Sequence, residues 1–237
     1  LPGANAHGAE FASAAIERGA RAVFTDDAGA ALLAESTVPL LVHPDPRSVL
    51  GRVSAAIYGH PSEQMTVVGI TGTSGKTTTS YLLEAVLQAG GRKTGLIGTI
   101  ETRIAGHRVP SALTTPEAPQ LHALFAAMLE QGVDSVVMEV SSHALTLHRV
   151  DEVVYDVALF ANLSQDHLDF HGTMEEYFRA KASLFTPERS RRGVVCIDDE
   201  WGQRLSREAS VPVTTVTSRL DAEADWVIGG DPRQPLV

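Results

Sequence analysis

The sequence is short of several features, and each shortage excludes something. It has a single cysteine, Cys196, so no disulfide can close within the chain, and a reducing compartment, the cytoplasm, fits. Cys196 reads as a small core residue at the end of Gly193-Val194-Val195-Cys196-Ile197. No apolar run approaches the ~20 residues that a membrane-spanning helix needs, and no signal peptide is visible in the sequence. Positive charge is in deficit: 19 Lys and Arg against 29 Asp and Glu give a formal net charge of −10. That balance argues against nonspecific nucleic-acid binding. There is no internal repeat and no low-complexity tract. The first residue is Leu1 rather than Met, so the expectation is that the natural N-terminus lies upstream.

What is present is ordinary for a globular protein: 237 residues, 43% hydrophobic and 20% charged, enough for one large or two small domains. The chain is organised around Thr66–Gln88. Thr66-Val67-Val68-Gly69-Ile70 is a short β-branched run that reads as a buried strand. Thr79–Gln88 follows with Leu82, Leu83, Val86 and Leu87 at helical spacing, which predicts a helix there. Between them lies Thr71-Gly72-Thr73-Ser74-Gly75-Lys76-Thr77-Thr78, a glycine loop between strand and helix, the setting a phosphate-binding loop requires. Glycines let successive N–H groups turn toward one anion, and the helix N-terminus adds partial positive charge. Lys76 is placed to reach outer phosphates, and the Thr77 hydroxyl to ligate Mg²⁺. One glycine is missing from the usual pattern: Ile70 stands where its first glycine would fall. The plain alternative is a Gly/Ser/Thr turn that merely caps a helix.

Ahead of this stretch, residues 1–62 read as part of a small α/β unit. It has a helical pattern over Ala9–Arg18, strands at Ala22–Thr25 and Val38–Val42, and a helix over Arg47–Tyr58 that stops at Gly59 and Pro61. Gly59–Gln64 is the expected boundary. His7, in the polar stretch Asn5-Ala6-His7-Gly8, reads as a solvated loop histidine. Residues 63–237 alternate strand and helix, the sign of a mostly parallel sheet flanked by helices. Thr94–Ile100 is an expected strand and Thr102–Val109 a hairpin or irregular excursion. In Leu113-Thr114-Thr115-Pro116-Glu117, Thr115 has the chemistry of an N-cap and Pro116 of a first helical position. Strands are expected at Ser135–Val140, Val153–Phe160, Gly193–Ile197 and Val213–Val216, and a short helix at Glu175–Leu184. The acidic trio Asp198-Asp199-Glu200 reads as a solvated turn. The fold class is therefore α/β: a central unit of phosphate-loop type preceded by a partial small α/β unit.

Polar residues collect at strand ends, where open parallel sheets bind ligands. Glu139 lies near the end of Ser135–Val140, well placed to hold Mg²⁺ directly or through water. Ser141-Ser142-His143 follow it. Val153–Phe160 runs into Asn162-Leu163-Ser164-Gln165-Asp166-His167-Leu168-Asp169. Three polar strand ends point to one phosphate site.

These motifs resemble the Mur ligases of peptidoglycan synthesis, and among them the ligases that add the third amino acid of the stem peptide to a UDP-N-acetylmuramoyl dipeptide. The resemblance is carried by Thr71–Thr78, Leu113–Glu117, Met138–Leu145, Asn162–His171 and Tyr177–Phe185, in family order over about two-thirds of the chain. It implies a reaction in which ATP phosphorylates a carboxylate and an amine attacks the acyl phosphate. It implies Gly72, Thr73, Ser74, Gly75, Lys76, Thr77 and Thr78 on ATP, and Thr77, Glu139 and His167 around Mg²⁺. It implies Thr114, Thr115, Ser141 and Arg149 on the muropeptide, where a guanidinium suits phosphate or carboxylate. Lys181 aligns with a lysine that the family carries as a carbamate; from composition alone it is a solvated lysine on an amphipathic helix. Lys76, His167 and Lys181 are the residues expected to serve catalysis. Residues 1–62 are then the end of the family's UDP-binding first domain, 63–237 an incomplete central domain, and the C-terminal ligase domain is expected beyond the sequence. The expected partners are the UDP-linked dipeptide and an amino acid, with meso-diaminopimelate ahead of lysine, and the expected state is a monomer. The alternatives are a folylpolyglutamate synthetase-like ligase, a P-loop kinase or regulatory NTPase, and an inert nucleotide-binding fragment.

Overall fold

A computed structural model describes residues 1–3, 6–110 and 113–228. Asn5 of the polar stretch around His7, and positions 229–237 of the second expected unit, lie outside the described residues. Strands β1 (Val23–Thr25) and β2 (Leu40–Val42) pair in parallel. A 3-10 turn, Gly8–Phe11, runs into α1 (Ala12–Glu17), and Ala9, Ala12 and Leu33 form a small core beside the pair. Helix α2 (Asp27–Leu32), which the sequence reading passed over, starts where Asp26 accepts the Gly29 N–H. His7 is not a solvated loop residue. Its side chain is 16% exposed, its Nε2 lies 3.0 Å from Asp26 Oδ1, and its Nδ1 accepts the Ala9 N–H. Helix α3 (Pro46–Tyr58) is capped by Asp45 and ends at left-handed Gly59, φ 72°, as its punctuation predicts.

The large sheet is built from β3 (Thr66–Thr71), β4 (Thr94–Ile97), β5 (Thr102–Ile104), β6 (His107–Val109), β7 (Ser135–Glu139), β8 (Val157–Phe160), β9 (Gly193–Cys196), β10 (Val213–Thr217) and β11 (Trp226–Val227). Among the described residues its order is β11-β10-β9-β8-β3-β7-β4-β5-β6. All neighbours are parallel except the β4-β5-β6 edge, which is antiparallel; Thr102–Val109 is thus a hairpin. In register, Ile70 faces Glu139 on one side and Leu159 on the other. Alternation along the strands sends successive side chains to opposite faces. Val67, Val136 and Met138 enter one core with Phe125 and Phe178, while Ile70, Leu96 and Val137 enter another beneath Tyr81, Leu83 and Leu87. Both faces are covered, which is why the central strands read as continuous apolar runs.

The helices are α4 (Lys76–Ala89), α5 (Ala118–Glu130), α6 (Ser142–Thr146), α7 (Leu168–His171), α8 (Met174–Ala182) and α9 (Glu200–Glu208). Helix α3 packs against α5. Three local expectations need correction. Helix α4 begins at Lys76 directly after Gly75, not at Thr79. Thr115 does not cap α5: the N-cap is Glu117 and the early proline is Pro119. The Thr115 hydroxyl is used elsewhere, at the end of β7. The acidic trio is not a solvated turn either. Asp199 caps α9 and accepts the Leu163 N–H, while Asp198 accepts from Thr217 and Ser218. Cys196 is half-buried in β9. No helix among the described residues is long and apolar enough to cross a membrane.

Candidate functional site

The site begins at the carboxyl end of β3, the central strand between β7 and β8. The chain turns through Gly72 (φ 150°) and Gly75 (φ 84°) into α4, conformations that only glycine adopts cheaply. A Cβ on Gly72 would sit 3.1 Å from Ala161 Cβ and 3.2 Å from Asn162 N, so the loop is pressed onto the end of β8. Asn162 fastens it: its Oδ1 accepts the Ser74 N–H at 3.0 Å and its Nδ2 donates to the Ser74 carbonyl at 3.1 Å. The Thr73 hydroxyl donates to the Ser164 carbonyl at 3.1 Å, accepts the Ser164 N–H, and lies 3.2 Å from the Tyr177 hydroxyl. Lys76 folds back, with Nζ donating to the carbonyls of Gly72 at 2.8 Å and Thr73 at 2.9 Å. Burial pulls its pKa below the ordinary value, against the charges of Glu139 and Asp166. Ser74, Gly75 and Thr78 are exposed around the turn. The arrangement presents backbone N–H groups, a helix N-terminus and an ammonium on one side, an anion site by construction.

Beside the loop, at the end of β7, Glu139 is 1% exposed. The Thr77 hydroxyl donates to Glu139 Oε1 at 2.9 Å. Thr99, just beyond β4, donates its N–H to Oε1 at 2.9 Å and its hydroxyl to Oε2 at 3.0 Å. A carboxylate and a hydroxyl this close are hard oxygen donors that suit Mg²⁺. Among the described residues no group of three or more His, Cys, Asp and Glu gathers as a metal site. A magnesium ion here would take few protein ligands and complete its shell with phosphate and water, which is its habit.

The chain from Leu113 to Glu117 crosses the ends of β7 and β4. Thr115 Oγ1 donates to the Glu139 carbonyl at 2.9 Å and accepts the Ser141 N–H at 3.2 Å. Ser141 in turn caps α6 by accepting the Ala144 N–H. Thr114 Oγ1 lies 3.1 Å from Thr99 Oγ1. Arg149 stands off this cluster with Nε 2.8 Å from Glu117 Oε1, an ionic contact whose N–H is not aimed along it. Glu117 Oε2 also takes Arg47 Nη1 at 3.1 Å, so one carboxylate joins α3 to Arg149.

Lys181 comes to the loop from α8. It is 1% exposed, and its Nζ donates to the Gly72 carbonyl at 2.9 Å, lying 4.7 Å from the centre of the Tyr177 ring. Burial, then the charge of Lys76, brings its pKa down to about 7 against the pull of Asp166. The solvated reading of this lysine is excluded. His167, an expected Mg²⁺ ligand, lies just before α7 with its Nε2 3.6 Å from Asp166 Oδ2. It is exposed, in the left-handed region at φ 51°, and its ring contacts His143 at 4.9 Å and Tyr177 at 6.0 Å. His143, His171 and Phe170 complete that aromatic group, and burial pulls both imidazoles below the ordinary pKa. Sequence reasoning missed Thr99 and Glu117 as site neighbours. The signal for Thr99 was there: a Gly-Thr pair at the end of an apolar strand.

A family model described as the Mur ligase middle domain matches residues 70–233. The UDP-N-acetylmuramoyl-L-alanyl-D-glutamate--2,6-diaminopimelate ligase of Streptomyces coelicolor is 56% identical over 226 residues, 95% of this chain and 44% of the relative. A solved structure of a ligase of that same name superposes with a TM-score of 0.72 at 27% identity, over 92% of this chain and 44% of the other. Escherichia coli FolC in complex with DHPP and ADP superposes less well, with a TM-score of 0.57 at 25% identity, over 70% of this chain and 46% of the other. This chain thus spans less than half the length of the proteins it matches. With the glycine loop, the Thr77–Glu139 pair and the Thr115–Ser141 cluster all inside the matched region, the chain belongs to the Mur ligase family.

Proposed function

We propose that this chain is part of an ATP-dependent ligase that joins 2,6-diaminopimelate to UDP-N-acetylmuramoyl-L-alanyl-D-glutamate. The observation that carries the proposal is the Thr77–Glu139 contact of 2.9 Å beside the loop that holds Lys76. An anion cradle, an ammonium and a pair of hard oxygen donors meet at adjacent strand ends. The 56% identity to a ligase of that name supports the diaminopimelate assignment over lysine. The division follows the same reading: residues 1–62 belong to a UDP-binding domain and 63–237 to the central ATP-binding domain.

In this reading Gly72–Thr78 cradle the ATP phosphates and Lys76 leaves its carbonyl partners for the outer ones. Thr77, Glu139, His167 and Lys181 as a carbamate would hold Mg²⁺, which when bound would neutralise phosphate charge. The fit is strongest for Thr77 and Glu139. For His167 it rests on the family resemblance, since imidazole is an uncommon Mg²⁺ donor. Thr114, Thr115, Ser141 and Arg149 orient the dipeptide. Its free carboxylate takes the γ-phosphoryl group and ADP leaves. The amine of diaminopimelate then attacks the acyl carbon, phosphate departs, and the amine proton passes to solvent. Positioning and fixed charge supply the rate, since phosphoryl transfer asks little covalent chemistry of the protein. A cytoplasmic monomer with no nucleic-acid partner accords with the net charge of −10 and the single cysteine.

The test is product analysis with the full-length protein, ATP and Mg²⁺. The expected products are UDP-linked tripeptide, ADP and phosphate, formed only with both dipeptide and diaminopimelate present. A hydrolytically stable phosphate ester formed without amine would favour a kinase, and extension of a folate by glutamate would favour the FolC-like activity.

A further inference from the structure

Thr99 meets Glu139 in a way that the family resemblance does not assign. Its backbone N–H reaches Oε1 at 2.9 Å and its hydroxyl reaches Oε2 at 3.0 Å, so one residue grips both oxygens of a carboxylate that is 1% exposed. The grip depends on the residue before it. A Cβ on Gly98 would lie 2.6 Å from Glu139 Oε1, so a side chain there would push the carboxylate away. An ionised carboxylate has about four acceptor positions. Thr77 and Thr99 fill three, and the Thr77 contact is the one that a shared cation would replace.

The Thr99 hydroxyl has a second neighbour, Thr114 Oγ1 at 3.1 Å. A hydroxyl has one proton, and a carboxylate is the stronger acceptor, so Thr99 donates to Glu139 and receives from Thr114. The chain from the candidate metal carboxylate to the candidate substrate-binding threonine is therefore Glu139, Thr99, Thr114. We propose that Thr99 is a positioning residue: it fixes the Glu139 carboxylate in the orientation that accepts Mg²⁺ and ties that orientation to Thr114. This rests on the nucleotide-ligase reading above. Outer partners of this kind orient the ligand group, and their loss weakens metal binding without touching the metal. Thr99 is itself exposed, so removing its hydroxyl leaves the core intact.

The test uses full-length protein with Thr99→Val, which deletes the hydroxyl at constant shape, and Thr99→Ser, which restores it. ADP binding is measured by titration calorimetry without metal and across a Mg²⁺ series, with melting temperatures alongside. Thr99→Val is expected to raise the Mg²⁺ concentration for half-saturation by about tenfold or more, with metal-free ADP binding unchanged and a cooperative melting transition kept, its midpoint lowered only by the lost hydrogen bond, and Thr99→Ser to return to wild type. Wild-type Mg²⁺ dependence in Thr99→Val would overturn the proposal alone. So would an equal loss of metal-free binding, which marks a merely structural role, or a failure of serine to rescue. Wild-type protein that binds no ADP with Mg²⁺ would overturn the ligase reading and this proposal with it.

Discussion

Lys181 Nζ donates to the carbonyl oxygen of Gly72 at 2.9 Å, so a buried amine on α8 is tied to the first glycine of the loop after β3. The same carbonyl receives Lys76 at 2.8 Å. Two amines thus share one acceptor, and the charge of Lys76 makes it harder for Lys181 to stay protonated.

Lys181 is expected to act as a carbamate. Carbamylation needs the neutral amine, and burial that brings the pKa to about 7 supplies it near neutral pH. At fixed dissolved CO₂, a ¹³C carbamate signal should grow as pH rises from about 6 to about 8, the range across which such an amine loses its proton. Full-length Lys181→Ala should lose ligase activity and regain part of it with short carboxylates, not with short amines. Wild-type activity in that variant would end the idea. The sign for stability is the same: the folded pKa lies below the ordinary 10.5, so stability contributed by this group falls as pH drops from there toward about 7.

Lys76→Ala should abolish turnover and weaken ATP binding. Deleting a cation aimed at developing phosphate charge costs about 100-fold or more in kcat. Phosphate release and calorimetry on the full-length variant decide it, and near-normal amide synthesis would remove the loop assignment.

His122 predicts a pH effect away from the site. It is 0% exposed, its Nε2 meets the Asp151 carbonyl at 3.1 Å, and its Nδ1 has no partner. Burial holds its pKa below 6.5, so the unfolded chain takes the proton first. Stability is present above 6.5 and is lost as pH falls through the folded value, by about 1.4 kcal/mol per unit of depression. His143 and His171 act in the same direction. Melting temperatures between about pH 5 and 7.5 should therefore fall less steeply for His122→Gln than for wild type; parallel curves would contradict this.

Residues 1–237, expressed alone, are expected to make no tripeptide. Holding the amine against the acyl phosphate and keeping water out call for an enclosing surface, and the chain spans 44% of its S. coelicolor relative. Tripeptide from the purified chain, found by mass spectrometry, would refute the expectation.

The loop and the central strands were legible because their determinants are local: Gly-Lys-Thr after a β-branched run, and apolar runs bounded by turns. The small helices α2, α6 and α9 were not, although Asp26, Ser141 and Asp199 cap them. With at most nine residues each, they give too few turns for periodicity to register. Thr115 shows the opposite error. Thr-Pro-Glu meets every local rule for a helix start, yet its hydroxyl serves Glu139 and Ser141, 24 and 26 positions away. The Thr99–Glu139 grip spans 40 positions and the Arg47–Glu117 contact 70. No spacing rule reaches that far.

The strand order β8-β3-β7-β4 carries a last consequence. Neighbouring strands lie about 4.8 Å apart, so the four ends span about 14 Å crosswise. The clamp on the loop, the cradle, the acidic group and the threonine grip are strung along that line. In the chain they come in another order, as β3, β4, β7 and β8, each followed by its own connection. The two outer stations each hold an inner one, Asn162 the loop after β3 and Thr99 the carboxylate after β7. A shift of either outer strand end is therefore felt at the phosphate site through a single hydrogen-bonded neighbour.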